Sequence, residues 1–118
     1  MSYVHLFRPG SDPAESRTLV LLHGTGADEN DLIPLAEAVL PGTNALSLRG
    51  DVDENGMPRF FRRFAEGVFD LDDVAMRAGK MAQFVPEAAA QYGFDQAQTI
   101  AFGFSNGANI AAATMLLH

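Results

Sequence analysis

The 118-residue sequence contains no cysteine, which excludes disulfides, a cysteine nucleophile and thiolate metal sites together. No apolar run approaches the ~18 residues that a membrane span requires, so none is expected. Basic residues are scarce: eight Lys and Arg stand against fifteen Asp and Glu, a formal net charge of -7. Such a balance repels a phosphate backbone unless the cations cluster. The one cluster, Arg59, Arg62 and Arg63, is interleaved with Glu54 and Glu66 and reads as an ion-paired surface patch, so a nucleic-acid partner is not expected. The opening stretch, MSYVHLFRPGSDPAESR, lacks the basic and apolar segments of a secretory signal. Cytoplasm is the expected compartment.

What is present is a globular composition, 47% hydrophobic and 19% charged, in a length that suits one domain or a piece of one. TLVLLHG (Thr18 to Gly24) and TIAFGFS (Thr99 to Ser105) are continuous apolar runs, the pattern of strands in a parallel sheet covered by helices. TNALSLRG (Thr43 to Gly50) is a weaker third strand, and YVHLFRP (Tyr3 to Pro9) alternates as an outer strand does. Leu32, Leu35, Ala36 and Val39 repeat at helical spacing after the cap region Asp28 to Asp31 and stop at Pro41-Gly42. Leu71, Val74, Ala78, Met81, Ala82 and Val85 mark one face of a longer helix capped by Asp70, with a kink or restart expected at Pro86. Strand and helix alternate, which predicts an α/β fold. Between Arg49 and Asp70 the chain reads as a long loop, yet it carries Phe60, Phe61, Phe64 and Phe69, four of the nine phenylalanines. Such a loop either plugs the core or lines a pocket.

The chemistry concentrates in Gly103-Phe104-Ser105-Asn106-Gly107, a G-x-S-x-G sequence set between an apolar strand and a small-residue helix, NGANIAAATMLL. That context is the one a nucleophile elbow requires: the serine sits on a strained strand-to-helix turn and the glycines make room for it. The bland alternative is a serine that caps the helix through its hydroxyl. An elbow also needs two backbone N–H donors for an oxyanion, one from the residue after the nucleophile, Asn106, and one from the loop after an earlier strand. LLHGTGADEND supplies that loop, with Thr25 between two glycines. A phosphate loop is excluded there because no Gly-Lys-Ser/Thr follows. The EF-hand-like Asp51 to Gly56 run fails because Arg62 stands where a bidentate glutamate is needed. His23 is expected to be a buried, hydrogen-bonded residue that shapes its turn.

LLHGTGADENDL, RGDVDENGMPRFFRRFAEGVFD and GFSNGANIAAA together resemble, in order and spacing, the phospholipase/carboxylesterase family of α/β hydrolases, relatives of acyl-protein thioesterases. The similarity runs from about Leu19 to the end of the chain. It implies Ser105 as nucleophile, Thr25 and Asn106 as oxyanion-hole residues, and a substrate-side loop at Arg49 to Asp70, with Phe60, Phe61 and Phe64 as the acyl-binding candidates. It further implies an ester, thioester or lysophospholipid substrate and an acyl-enzyme, with neither metal nor cofactor. A homodimer is compatible with this reading.

The triad order in this fold is Ser, Asp or Glu, then His. Only thirteen residues follow Ser105, none is acidic, and His118 is the sole histidine among them, roughly 20 Å away along a helix. Residues 1–118 are therefore expected to form the N-terminal half of an α/β-hydrolase domain, with the strands beyond the elbow missing and the chain alone inactive. The competing reading is a non-catalytic α/β module that uses its unpaired sheet edge for assembly.

Overall fold

The computed structural model describes residues 3–118. Four strands form the main sheet: β1 (His5–Arg8), β2 (Thr18–Leu22), β3 (Asn44–Leu48) and, after two small hairpins, β8 (Thr99–Gly103). Their spatial order is β1-β3-β2-β8. β2 pairs parallel with both β3 and β8, and β1 pairs antiparallel with β3. The sheet is thus mostly parallel, as the apolar runs predict. β2 lies inside it with all five residues buried, while β8 forms one edge.

Alternation along β2 builds two cores, because successive side chains leave a strand on opposite faces. Leu19 and Leu21 point to one side and pack with Leu32, Ala36 and Ala45 beneath α1 (Ile33–Val39). Val20 and Leu22 face the other side, where Leu46, Leu48, Met81, Phe84 and Ile110 join them under α2 (Leu71–Tyr92) and α3 (Asn106–Leu117). The result is three layers, helix, sheet and helix. The start of α2 is fixed as expected: the Asp70 side chain accepts the Asp73 N–H, satisfying one orphan donor of the first turn. Two details differ from expectation. α1 begins after Leu32 with no side-chain cap, and α2 runs unbroken through Pro86, where packing against the sheet outweighs the lost backbone hydrogen bond.

The stretch from Arg49 to Asp70 is not a plain loop. It folds into two hairpins, β4 (Val52–Glu54) with β5 (Met57–Arg59) and β6 (Arg63–Ala65) with β7 (Val68–Phe69). Short strands rich in charge and interrupted by Pro58 and two glycines give little periodic signal, which is why the sequence pattern missed them. The Asp73 carboxylate accepts the Arg62 N–H at 2.6 Å and ties the second hairpin to the first turn of α2.

The loop after β2 is anchored at its far end. Arg49 donates through Nε and Nη2 to the two carboxylate oxygens of Glu29, both at 2.8 Å, and Ser47 Oγ donates to the Glu29 carbonyl at 2.6 Å. The paired guanidinium holds the Glu29 carboxyl below its usual range. The folded protein therefore binds this proton less readily than the unfolded chain. The stability it confers is complete above the ordinary glutamate range and is lost as pH falls through the lowered folded value. Glu29→Gln is expected to flatten the acid side of the stability curve, read by urea denaturation across a pH series. An unchanged acid limb would contradict this role.

Candidate active site

Ser105 occupies the turn between β8 and α3 with φ 54° and ψ -112°. A non-glycine residue at positive φ is uncommon and costs on the order of 1–3 kcal/mol, a strain that persists only where its surroundings enforce it. The Phe104 N–H donates to the Leu22 carbonyl, and the Gly107 N–H donates to the Phe104 carbonyl, both at 3.0 Å. Gly107 permits the turn to press onto β2: a Cβ there would penetrate the Leu22 carbonyl and stand 2.7 Å from the His23 oxygen. A Cβ on Gly103 would lie 2.6 Å from the Ala108 nitrogen. The Ser105 side chain makes no capping hydrogen bond, so the helix-cap alternative does not describe it.

Ser105, Thr25 and Asn106 line one cleft of about 420 Å³, together with Gly24, Arg59, Arg63, Phe69, Phe104 and Asn109 among others. The backbone N–H groups of Thr25 and Asn106 have no acceptor among the described residues, whereas those of the neighbouring Gly26 and Gly107 are bonded, to Pro58 and Phe104. An ideal Cβ on Gly24 would stand 3.6 Å from the Ser105 Cβ, so the loop after β2 abuts the elbow itself.

Three consecutive residues, the last two of β5 and the one after it, hold these parts together. The Pro58 carbonyl accepts the Gly26 N–H at 3.2 Å, Arg59 Nη1 donates to Thr25 Oγ1 at 2.6 Å, and the Phe60 N–H donates to Asn106 Oδ1 at 2.7 Å. Arg59 was not expected here. The surface-patch reading fails for it, because Arg59 is only 2% exposed. It lies at the inner end of β5, with Nε on the Phe61 carbonyl at 3.0 Å and its guanidinium 5.1 Å from the Phe61 ring centre. Burial lowers its pKa from the ordinary arginine value, and the nearby Arg63 adds to that. Arg63 does form the expected ion pair, with Glu54 at 2.7 Å. The sequence signal for Arg59 was its position directly before two core phenylalanines.

The phenylalanines divide. Phe60 and Phe61 are 0% exposed and belong to the core under α2 and α3. Phe60 packs 4.8 Å from the His23 ring, and Phe61 meets Phe69 edge-on at 5.0 Å. Neither lines the cleft, nor does Phe64, which is 73% exposed. Of the two roles open to these phenylalanines, Phe60 and Phe61 take the plug, their rings buried in the sheet–helix interface, while β6 turns Phe64 to solvent. Phe69 and Phe104 line the cleft instead. Phe60→Ala is expected to cost about 3–5 kcal/mol, and Phe64→Ala less than about 0.5 kcal/mol, both by denaturant titration. Equal costs would contradict this division.

The three histidines lie elsewhere. His23 is buried, its Nδ1–H donating to the Gly24 carbonyl at 2.6 Å and its Nε2 accepting the Gly50 N–H at 2.9 Å, so both nitrogens are engaged in shaping the turn. His5 bonds the Tyr3 carbonyl and the Tyr92 hydroxyl. His118 borders a separate, largely apolar hollow of about 570 Å³ between β8, α2 and α3. That hollow is the larger of the two, but it contains no part of the Ser105 constellation. Asp31 and Glu66 are the carboxylates on the Ser105 cleft. No group of three or more potential metal ligands occurs, and no helix is long and apolar enough to cross a membrane, among the described residues.

Comparison with known proteins agrees with this fold. The crystal structure of the Bacillus cereus carboxylesterase superposes with a TM-score of 0.91 at 52% identity, covering 95% of this chain and 52% of that one. The chain has the α/β-hydrolase fold, and its likeness to the phospholipase/carboxylesterase family holds in structure as in sequence. The structure of YahD with malic acid matches this chain at TM-score 0.89 and 33% identity, over 97% of the chain and 57% of YahD. MhqD of Bacillus subtilis (strain 168), a hydrolase by name, is 46% identical over 114 residues, which make up 97% of this chain and 55% of MhqD. The α/β-hydrolase chain thus spans about half the length of the relatives it matches. No family model matches it.

Proposed function

We propose that residues 1–118 are the nucleophile-bearing half of a serine carboxylesterase. Ser105 Oγ attacks the carbonyl carbon of a carboxylic ester, or of a related thioester or lysophospholipid. The alcohol leaves, and water hydrolyses the acyl-serine to return the acid. The N–H groups of Thr25 and Asn106 receive the oxyanion in both steps, assisted by the positive end of α3. The observation that carries this reading is the serine itself: strained, uncapped, and in one cleft with two unpaired backbone donors. Malic acid, the small dicarboxylate of the YahD structure, is of a size that such a cleft accommodates. The base that takes the serine proton, and its acidic partner, lie in sequence beyond position 118, since no histidine faces the cleft.

The same arrangement accounts for the uncovered edge of β8 at Ile100 and the exposed end of α3 at Met115 and Leu116: further strands of the hydrolase sheet pair with β8 there. A non-catalytic module would use that edge for a protein partner. Assaying the intact gene product and the 118-residue chain side by side on short p-nitrophenyl esters separates the two readings. The esterase reading expects turnover by the intact protein and only residual turnover by the short chain. No turnover by the intact protein favours the module.

A further inference from the structure

We propose that Arg59 makes the Ser105 cleft a carboxylate subsite, so that the preferred substrates are short esters carrying a second, ionised carboxyl group on the acyl part, such as half-esters of dicarboxylic acids. The inference rests on the esterase reading and names its substrate class.

Arg59 is a buried cation whose hydrogen bonds are incomplete. Nε and Nη1 are used by the Phe61 carbonyl and Thr25 Oγ1, but the buried Nη2 has no acceptor among the described residues. A charged group removed from water requires an opposite charge and filled hydrogen bonds. The nearest carboxylate, Glu54, stands 3.6 Å from Nε and is already held by Arg63 through bonds of 2.7 to 3.1 Å. Two arginines therefore share one carboxylate, and both border the cleft.

The position selects the ligand. Arg59 bonds the residue that offers an oxyanion donor, so an anion held by its guanidinium where it borders the cleft lies a short spacer from the scissile carbonyl. A planar guanidinium fits a planar carboxylate, donating paired N–H groups to its two oxygens. Asp31 and Glu66, which line the same cleft, oppose a dianionic phosphate more than a single carboxylate. In the reaction the ester C–O bond breaks, water supplies the new oxygen, and the products are an alcohol and a dicarboxylate.

The test compares monoethyl succinate with its neutral isostere, in which an isopropyl group replaces the carboxylate, on the intact enzyme by pH-stat. The unmutated enzyme should favour the half-ester in kcat/KM by about ten- to a hundredfold, the range of a charged hydrogen bond. Arg59→Gln should erase that preference. Free succinate should inhibit hydrolysis of the isostere competitively in the unmutated enzyme, a measurement that stands even where the variant does not fold. Equal kcat/KM for the two esters, or absent inhibition, would overturn the subsite while leaving the esterase intact. Proportional loss on both esters in Arg59→Gln would overturn it too, reducing Arg59 to a support for Thr25. Failure of the unmutated enzyme on both esters would remove the esterase reading and the subsite together.

Discussion

Ser105→Ala in the intact enzyme is expected to lower kcat for short p-nitrophenyl esters by about a millionfold, the scale on which loss of the nucleophile acts when the triad works as a unit. No other hydroxyl is placed to substitute, because among the described residues Ser105 is the only serine on the cleft and the only one held at positive φ. Thr25, its neighbour there, has its hydroxyl engaged by Arg59. What survives is the binding and oxyanion contribution, roughly 10³ to 10⁴ over water. Steady-state rates at saturating ester, with circular dichroism to show an unchanged fold, measure this. Retention of a tenth of the activity would move the nucleophile elsewhere.

Gly107→Ala is expected to destabilise the protein by about 3 kcal/mol or more, although it adds one methyl group. Overpacking usually costs about 1–3 kcal/mol because flexible side chains give way. Here the methyl meets the carbonyls of Leu22, the last residue of a fully buried strand, and of His23 just after it, so the whole of α3 must lift from β2. The Ser105 turn moves with it, and activity should fall along with stability. Urea denaturation of the variant decides the matter, and a change below about 1 kcal/mol would mean that α3 does not sit as described.

The features legible in the sequence were those written in long periodic runs or in dihedral-specific motifs. β2 and β8 showed as doubly apolar runs, α2 as a long amphipathic face with Asp70 at its head, and the Ser105 turn as glycines around one serine. Each is a local statement, since the period of a strand or helix and the need for room at a turn are fixed within a few residues. The hairpins between Arg49 and Asp70 are not local. Their strands are two or three residues long, below the length at which alternation registers, and they are held by contacts with α2 and the elbow. For the same reason Arg59 read as surface charge. Its burial depends on Thr25, Phe61 and Glu54 converging from three segments, and no spacing along the chain announces that. Phe60 and Phe64 illustrate the point within one motif: identical side chains four residues apart, one buried against His23 and one in solvent.

The central claim is that Ser105 is an activated nucleophile in the intact protein, and a fluorophosphonate tests it at the atom concerned. The reagent phosphonylates a serine oxygen only when a base has made it reactive, and peptide mass spectrometry locates the adduct. The account predicts one adduct per intact chain, on the peptide containing Gly103 to Gly107 and on Ser105 within it. It predicts none on the 118-residue chain, whose histidines all lie away from the cleft. An adduct on another residue of the intact protein, or labelling of the short chain as fast as of the intact one, would contradict it.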